Sequence, residues 1–203
     1  MTRHFHRALS QVDIKRMIAY SSIGHMGLVV LGLAVLNSVT LSGSLLQLIN
    51  HGISTSALFI LVGMLSERIN SRNFSDFGGL WRKMPVFSAF FLFFSLAALG
   101  LPGLNNFAGE ILILIGTYRA YPVAAAFGFG GLVLGVIYVL RMVQDSLFGR
   151  FKGEASMLRD VDARETLILT SLALIVLFLG LWPRPVLGLF EGPVNELIGM
   201  MKP

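Results

Sequence analysis

Long apolar runs separated by short polar ones set the pattern of this sequence, and five of the runs are long enough to cross a bilayer. They fall at about residues 17–36, 41–66, 85–119, 122–147 and 165–182, against the roughly 20 apolar residues that a spanning helix needs. The second run exceeds that length, which predicts tilt or protrusion. A polar loop at about residues 67–84 leads into the third run, and the tail from residue 183 holds a short apolar segment with Glu191 and Glu196.

The third run breaks in its own middle. Residues 86–99 (VFSAFFLFFSLAAL) are apolar, residues 100–109 (GLPGLNNFAG) are rich in glycine and asparagine, and the chain turns apolar again after Glu110. Pro102 removes a backbone donor and clashes with the preceding turn, while Gly100 and Gly103 let the chain leave helical dihedrals. At membrane depth such a break survives only where protein buries it or where it lines a watery cavity. The expectation is an all-α polytopic protein of five transmembrane helices, with the third broken at Gly100, Pro102 and Gly103.

Composition agrees and narrows the function. Of the 203 residues 55% are hydrophobic and 13% charged, with a mean hydropathy of +0.75, values that argue against a soluble domain. The sequence has no cysteine, which removes disulfides, thiolate metal sites and iron–sulfur ligation from this chain. The net charge of +5 is spread over short loops rather than gathered in one block, so topology explains it better than nucleic acid does. All the lysines and arginines except Arg119, Arg184 and Lys202 fall on one side of a five-span arrangement. That asymmetry predicts a cytoplasmic N-terminus and a periplasmic or extracellular C-terminus. The basic start, MTRHFHRALSQ, lacks a small-residue cleavage site after the first apolar run, and no removable signal peptide is expected. No Walker-type loop, CxxC or HExxH occurs, and the glycines at 128–131 read as close helix contacts.

Four polar positions on the second span, Ser44, Gln47, His51 and Ser54, share a helical face, so they must meet protein or water. His51 lies near mid-span and is open to two readings: a proton relay, or a histidine hydrogen-bonded between helices that holds Gln47 or Asn50. His25 on the first span, flanked by Gly24 and Gly27, reads first as a close packing contact and second as a further relay group. Glu110 stands one turn into the half-helix after the break, where the helix dipole and free N–H groups favour a negative charge. A charge at the centre of a spanning helix costs about 2.5–3.5 kcal/mol even on a lenient scale, which points to use; a carboxylate that caps the break is the alternative. Arg141 and Asp145 form an i, i+4 pair. Arginine keeps its proton, so Arg141 would snorkel to the interface or tune a path rather than relay. His4 and His6 are read as solvent-facing, and Lys15, Arg16, Arg82 and Lys83 as topology anchors.

The segments DIKRMIAYSSIGHMG (13–27), NHG (50–52) followed by ALFILVGMLSERI, GGLWRKMP (78–85) and GLPGLNNFAGE (100–110) occur in this order and spacing. Together they resemble the C-terminal part of the antiporter-like membrane subunits of respiratory complex I, most closely the subunit M type. The resemblance covers about residues 11–150 strongly and the last span more weakly. It implies a fold of 14 helices with two inverted five-helix repeats, each with a broken helix, and a central axis of Lys, His and Glu that conducts protons. On that basis His51 matches the axis histidine, Glu110 the glutamate after the second broken helix, and His25 the SHMG position. Gln47, Ser54 and Arg141 become supporting polar residues. Asn70 stands where some members have a histidine.

The same resemblance divides the chain into a cytoplasmic tail (1–12), a partial antiporter-like domain (13–150), and a last span with its tail (151–203). Its five spans would correspond to the family's last five, so the chain is expected to be a fragment or split product lacking the first repeat. The implied role is a proton-translocating subunit of an NADH–quinone oxidoreductase in an inner or plasma membrane. NADH, FMN, iron–sulfur clusters and quinone would belong to partner subunits, and the neighbours would be other membrane subunits and lipid. Two rival readings are a subunit of a multisubunit sodium/proton antiporter or membrane-bound hydrogenase, and an inactive truncated fragment.

Overall fold

The computed structural model describes residues 13–69, 78–149 and 158–201, and within them the protein is α-helical throughout. The helices are α1 (Ile14–Val35), α2 (Ser38–Ile69), α3 (Pro85–Ala98), α4 (Asn105–Ala120), α5 (Pro122–Leu147), α6 (Ala163–Leu181) and α7 (Arg184–Met201), with a short 3-10 turn at Leu80–Arg82. Asn70, His4 and His6 lie outside the described residues.

Local chemistry sets most of the boundaries. The Asp13 carboxylate accepts from the N–H groups of Lys15 and Arg16 at 2.8 and 3.2 Å and starts α1, as a helix N-cap does. Leu36, in the left-handed region at φ 53°, ends that helix. Asn37 then starts α2, accepting from Thr40 N–H at 2.9 Å, while its Nδ2 donates to the Gly116 carbonyl of α4 at 3.1 Å. Pro85 and Pro122 open α3 and α5, where a missing N–H costs nothing. The first turn of α3 is capped from a distance: Val86 and Phe87 N–H both donate to the Asp160 carboxylate at 2.9 Å. A capping box of Asp162 and Glu165 starts α6.

Two ends of the bundle follow from these contacts. At one end Arg68 of α2 pairs with Glu165 of α6 at 2.5 Å, Asp160 holds the start of α3, and Gly79 N–H donates to Phe148 beyond the end of α5 at 3.0 Å. At the other end lie the α1–α2 corner at Asn37 and the last turn of α4 at Gly116. The broken pair α3–α4 therefore starts at the first end and finishes at the second, and counts as one crossing. With α1, α2, α5 and α6, each long and apolar enough to span a bilayer, this gives the five crossings expected from the sequence.

The break itself is two ordinary turns placed in series. Gly100 N–H donates to Ala97 O and Leu101 N–H to Leu96 O, at 3.1 and 3.2 Å, the bond pair of a Schellman cap with Gly100 (φ 70°) in the left-handed position. Leu104 N–H then donates to Leu101 O at 3.0 Å, with Pro102 second and Gly103 (φ 93°) third in the turn, as a type II turn requires. Protein covers the break. Gly180 of α6 sits so close that a methyl there would come within 2.5–2.6 Å of Leu104 backbone carbons, the small-residue approach that lets membrane helices pack.

A core of Ile14, Met17, Leu61, Leu65, Leu80, Met84, Phe87 and Phe91 fills the first end. Many large apolar side chains of α5 and α6, among them Phe127, Phe129, Leu167 and Leu174, point outward, as surfaces facing lipid or neighbouring membrane helices do. Of the glycines at 128–131, Gly128 faces Leu28 and Leu31 of α1, whereas Gly130 meets nothing within 4 Å.

The tail departs from expectation. Instead of a short apolar segment, residues 184–201 form an 18-residue helix, with Pro193 inside it, that packs on α2. Its partly or fully buried residues Val186, Leu187, Phe190, Val194 and Ile198 recur at helical spacing and form one face.

Candidate functional site

α2 and α4 approach so closely that the site between them is built on glycine contacts. A methyl on Gly109 would fall 2.5 Å from Gln47 Oε1 and 2.9 Å from Gln47 Cα, and one on Gly43 would fall 3.0 Å from Ile113 N. This contact turns Gln47 toward Glu110, one residue beyond Gly109. Gln47 Nε2 donates to Glu110 Oε1 at 3.1 Å. His25 of α1 reaches the same oxygen, with Nδ1 at 2.9 Å. Gln47 is fully buried, and His25 and Glu110 are 5% and 4% exposed, so the pair meets with little water to screen it.

His51 of α2 completes the group. Its ring centroid lies 5.4 Å from that of His25, with the planes tilted by 35°. Its near hydrogen-bonding neighbour is Thr55 Oγ1, 3.1 Å from Nε2 and one helical turn on. The order in space is Glu110, His25, His51. His25 thus occupies the middle position, joined directly to the carboxylate, and not only a contact between glycine-flanked helices. The Tyr138 hydroxyl lies near Gly24 beside it, at an ordinary contact distance of 3.7 Å from where a methyl would stand.

The rest of the polar stripe divides its partners. Ser44 Oγ donates to the Val29 carbonyl of α1 at 3.2 Å. Ser54 Oγ lies 3.0 Å from both Asn50 O and Asn105 Oδ1 and supports the start of α4 rather than the histidines. Asn50 is tied to Asn105 as well, so His51 holds neither Asn50 nor Gln47. Arg141 and Asp145 meet at 3.4 Å on the exposed face near the end of α5, away from Glu110. Gly100 approaches the site from the break: a methyl there would overlap Glu110 Oε2. Thr55 and Asn105 carry no signal of their own in the sequence reading, which names Asn50 only as a partner for His51. Thr55 was within reach of that reading, since it follows His51 by four residues on one face.

Chemically, a carboxylate and an imidazole nitrogen at 2.9 Å can share or pass a proton. Among the described residues no three His, Asp or Glu side chains converge as a metal site requires.

A multi-pass helical membrane protein whose broken span sets a buried carboxylate against two histidines is the class that the fold and this site define. The chain belongs to the family described as NADH:quinone oxidoreductase/Mrp antiporter, TM, which matches residues 6–137. It is 44% identical over 180 residues to NADH-quinone oxidoreductase subunit M of Pseudomonas aeruginosa, covering 89% of this chain and 35% of that protein. The corresponding Escherichia coli K12 subunit M is 40% identical over 192 residues, covering 94% of this chain and 38% of that one. Among solved structures, a chain of respiratory complex I from Thermus thermophilus with bound NADH superposes with a TM-score of 0.83 at 30% identity, over 95% of this chain and 41% of that one. A chain of the Mrp complex from a Dietzia species has the same fold, with a TM-score of 0.82 at 18% identity. The chain thus spans between a third and a half of the length of these relatives.

Proposed function

We propose that this chain is the C-terminal part of a proton-translocating, antiporter-like subunit of an NADH–quinone oxidoreductase. In this reading it moves protons through His51, His25 and Glu110 while electron transfer proceeds in partner subunits. The observation that carries the proposal is the shared Glu110 Oε1, met by His25 Nδ1 at 2.9 Å and by Gln47 Nε2 at 3.1 Å beside a helix break. The similarity to subunit M sequences supports the choice of complex.

The transfer step balances without a charged intermediate on the ring. His25 Nε2 takes a proton from protonated His51, which becomes neutral, as Nδ1 gives its own to Glu110 Oε1; the carboxylate becomes a carboxylic acid and the His25 imidazole ends neutral. A centroid separation of 5.4 Å between the histidines is within the span of a ring rotation or one water. Gln47 steadies the ionised carboxylate as a donor and carries no proton. Residues 13–150 would hold this path, with the N-terminal side cytoplasmic. Neighbouring membrane subunits would flank the chain, with NADH, FMN, iron–sulfur clusters and quinone bound elsewhere in the complex.

The test places Glu110→Gln, His25→Phe and His51→Ala singly in the full-length subunit of the assembled complex. NADH-driven proton uptake by inside-out vesicles is measured together with the rate of quinone reduction. Each variant should lower protons moved per electron, Glu110→Gln and His25→Phe most. An unchanged ratio in both would remove the proposed path.

A further inference from the structure

The break and the carboxylate occupy one small space. Gly100 takes the left-handed position of the Schellman cap that ends α3, and the direction in which a side chain would leave its Cα is filled by Glu110. A methyl there would overlap Oε2 and stand 3.2 Å from the carboxyl carbon. Gly103 has the same backbone hand, at φ 93°, but a methyl on it would meet only Leu181 Cδ2, at 3.9 Å. The two glycines are alike in backbone and opposite in surroundings.

We propose that Gly100 is a positioning residue for Glu110: its missing side chain is the space that seats Oε2 and so leaves Oε1 toward His25 and Gln47. This rests on the proton path proposed above and adds to it a link between the path and the shape of the break. Oε1 and Oε2 are rigidly coupled through one carboxyl carbon. Displacing Oε2 from Gly100 therefore turns the carboxyl group that His25 and Gln47 hold at 2.9 and 3.1 Å. Any rearrangement of the Gly100 cap would be felt at Glu110 in the same way.

The matched glycines supply the experiment. Gly100→Ala and Gly103→Ala bear the same kind of left-handed backbone cost, so what separates them is the overlap with Glu110. In the assembled complex, the infrared carboxyl or carboxylate stretch of Glu110 is assigned as the band lost in Glu110→Gln. Gly100→Ala should shift or remove that band, and Gly103→Ala should keep it. Assembly provides a second measure: where Gly100→Ala assembles less well than Gly103→Ala, the double variant Gly100→Ala/Glu110→Ala should recover to the Gly103→Ala level. A Glu110 band identical in the two alanine variants overturns the proposal. So does a Gly100→Ala assembly defect that persists once the carboxylate is removed, which would assign Gly100 to the cap alone. Neither readout depends on pumping, so the seat at Gly100 and the proton path can fail separately.

Discussion

Asn50 and Asn105 clasp each other's backbones: Asn50 Nδ2 donates to the Asn105 carbonyl at 2.6 Å, and Asn105 Nδ2 donates to the Asn50 carbonyl at 2.9 Å. Ser54 Oγ joins the clasp at Asn105 Oδ1, 3.0 Å away. The contact fixes the first residue of α4 to the middle of α2, so the half-helix that carries Glu110 is registered against the helix that carries Gln47 and His51.

Removing either side chain of that clasp takes away a buried hydrogen bond that joins the two helices, at a cost of about 0.5–1.5 kcal/mol. Asn105→Ala and Asn50→Ala should each lower the thermal midpoint of the complex. The double variant should cost less than the sum of the two, because each bond holds the two helices in the register that the other bond needs. Full additivity, measured as thermal inactivation of assembled complex, would show that the two residues do not act as one unit.

This clasp also marks where sequence reading stops. The broken span was legible because Gly-Leu-Pro-Gly carries local instructions: a left-handed glycine for the cap, then proline and glycine in the order of a type II turn. The five crossings were legible because lipid imposes length and polarity on every span. The pairing of Asn50 with Asn105, of Gln47 with Glu110, and of His25 with Glu110 joins positions 55, 63 and 85 residues apart, and no local pattern encodes which helices become neighbours. The glycines flanking His25 are a local signal for packing, and its carboxylate partner leaves none. The length of α7 is hidden in the sequence for a related reason. Gly188, Gly192 and Pro193 weigh against a helix one residue at a time, whereas the apolar face that α2 buries is visible only over the whole segment.

Gln47 separates positioning from carriage. Gln47→Leu removes the donor to Glu110 Oε1 at little change in volume and leaves His25 in contact. It should slow NADH-driven pumping without abolishing it, unlike Glu110→Gln, since an amide side chain never held the proton. Pumping lost as completely in Gln47→Leu as in Glu110→Gln would mean that the donor is indispensable to the transfer.

The contact between α6 and the break predicts a contrast between two glycines. Gly180→Leu drives a side chain into the Gly103 carbonyl and Leu104, and overpacking of this kind costs about 1–3 kcal/mol. It should reduce the amount of assembled complex. Gly130→Ala, with nothing within 4 Å, should be tolerated, with a gain of up to about 1 kcal/mol from helix propensity. Native gel quantification of both variants checks the pair; equal behaviour would place α6 away from the break.

Asp160 caps α3 from outside its own helix, so its removal should act at a distance in sequence. Asp160→Ala leaves the Val86 and Phe87 N–H groups without their acceptor, and loss of a cap costs about 0.5–2 kcal/mol. Glu165→Gln tests the neighbouring contact by weakening the ion pair with Arg68, which is only partly exposed at both partners. Both variants should lower the thermal midpoint, with Asp160→Asn falling between Asp160→Ala and the unmodified protein. An unaltered midpoint in Asp160→Ala would mean that α3 finds its acceptors elsewhere.

The single crossing of the broken pair carries the topology, and it can be read chemically because this sequence has no cysteine. Lys83 is exposed just before α3, and Tyr121 is 58% exposed just after α4. If α3 and α4 together cross once, cysteines at these positions lie on opposite faces of the membrane. If the first end is cytoplasmic, as the bias of basic residues predicts, Lys83→Cys should react with a membrane-impermeant thiol reagent only in inside-out vesicles, and Tyr121→Cys only in right-side-out ones. The complex should be labelled in a subunit carrying no other cysteine. Reaction of both from one side would make the pair a re-entrant hairpin, and α5 and α6 would then run opposite to the directions drawn from the Arg68–Glu165 and Asn37–Gly116 contacts.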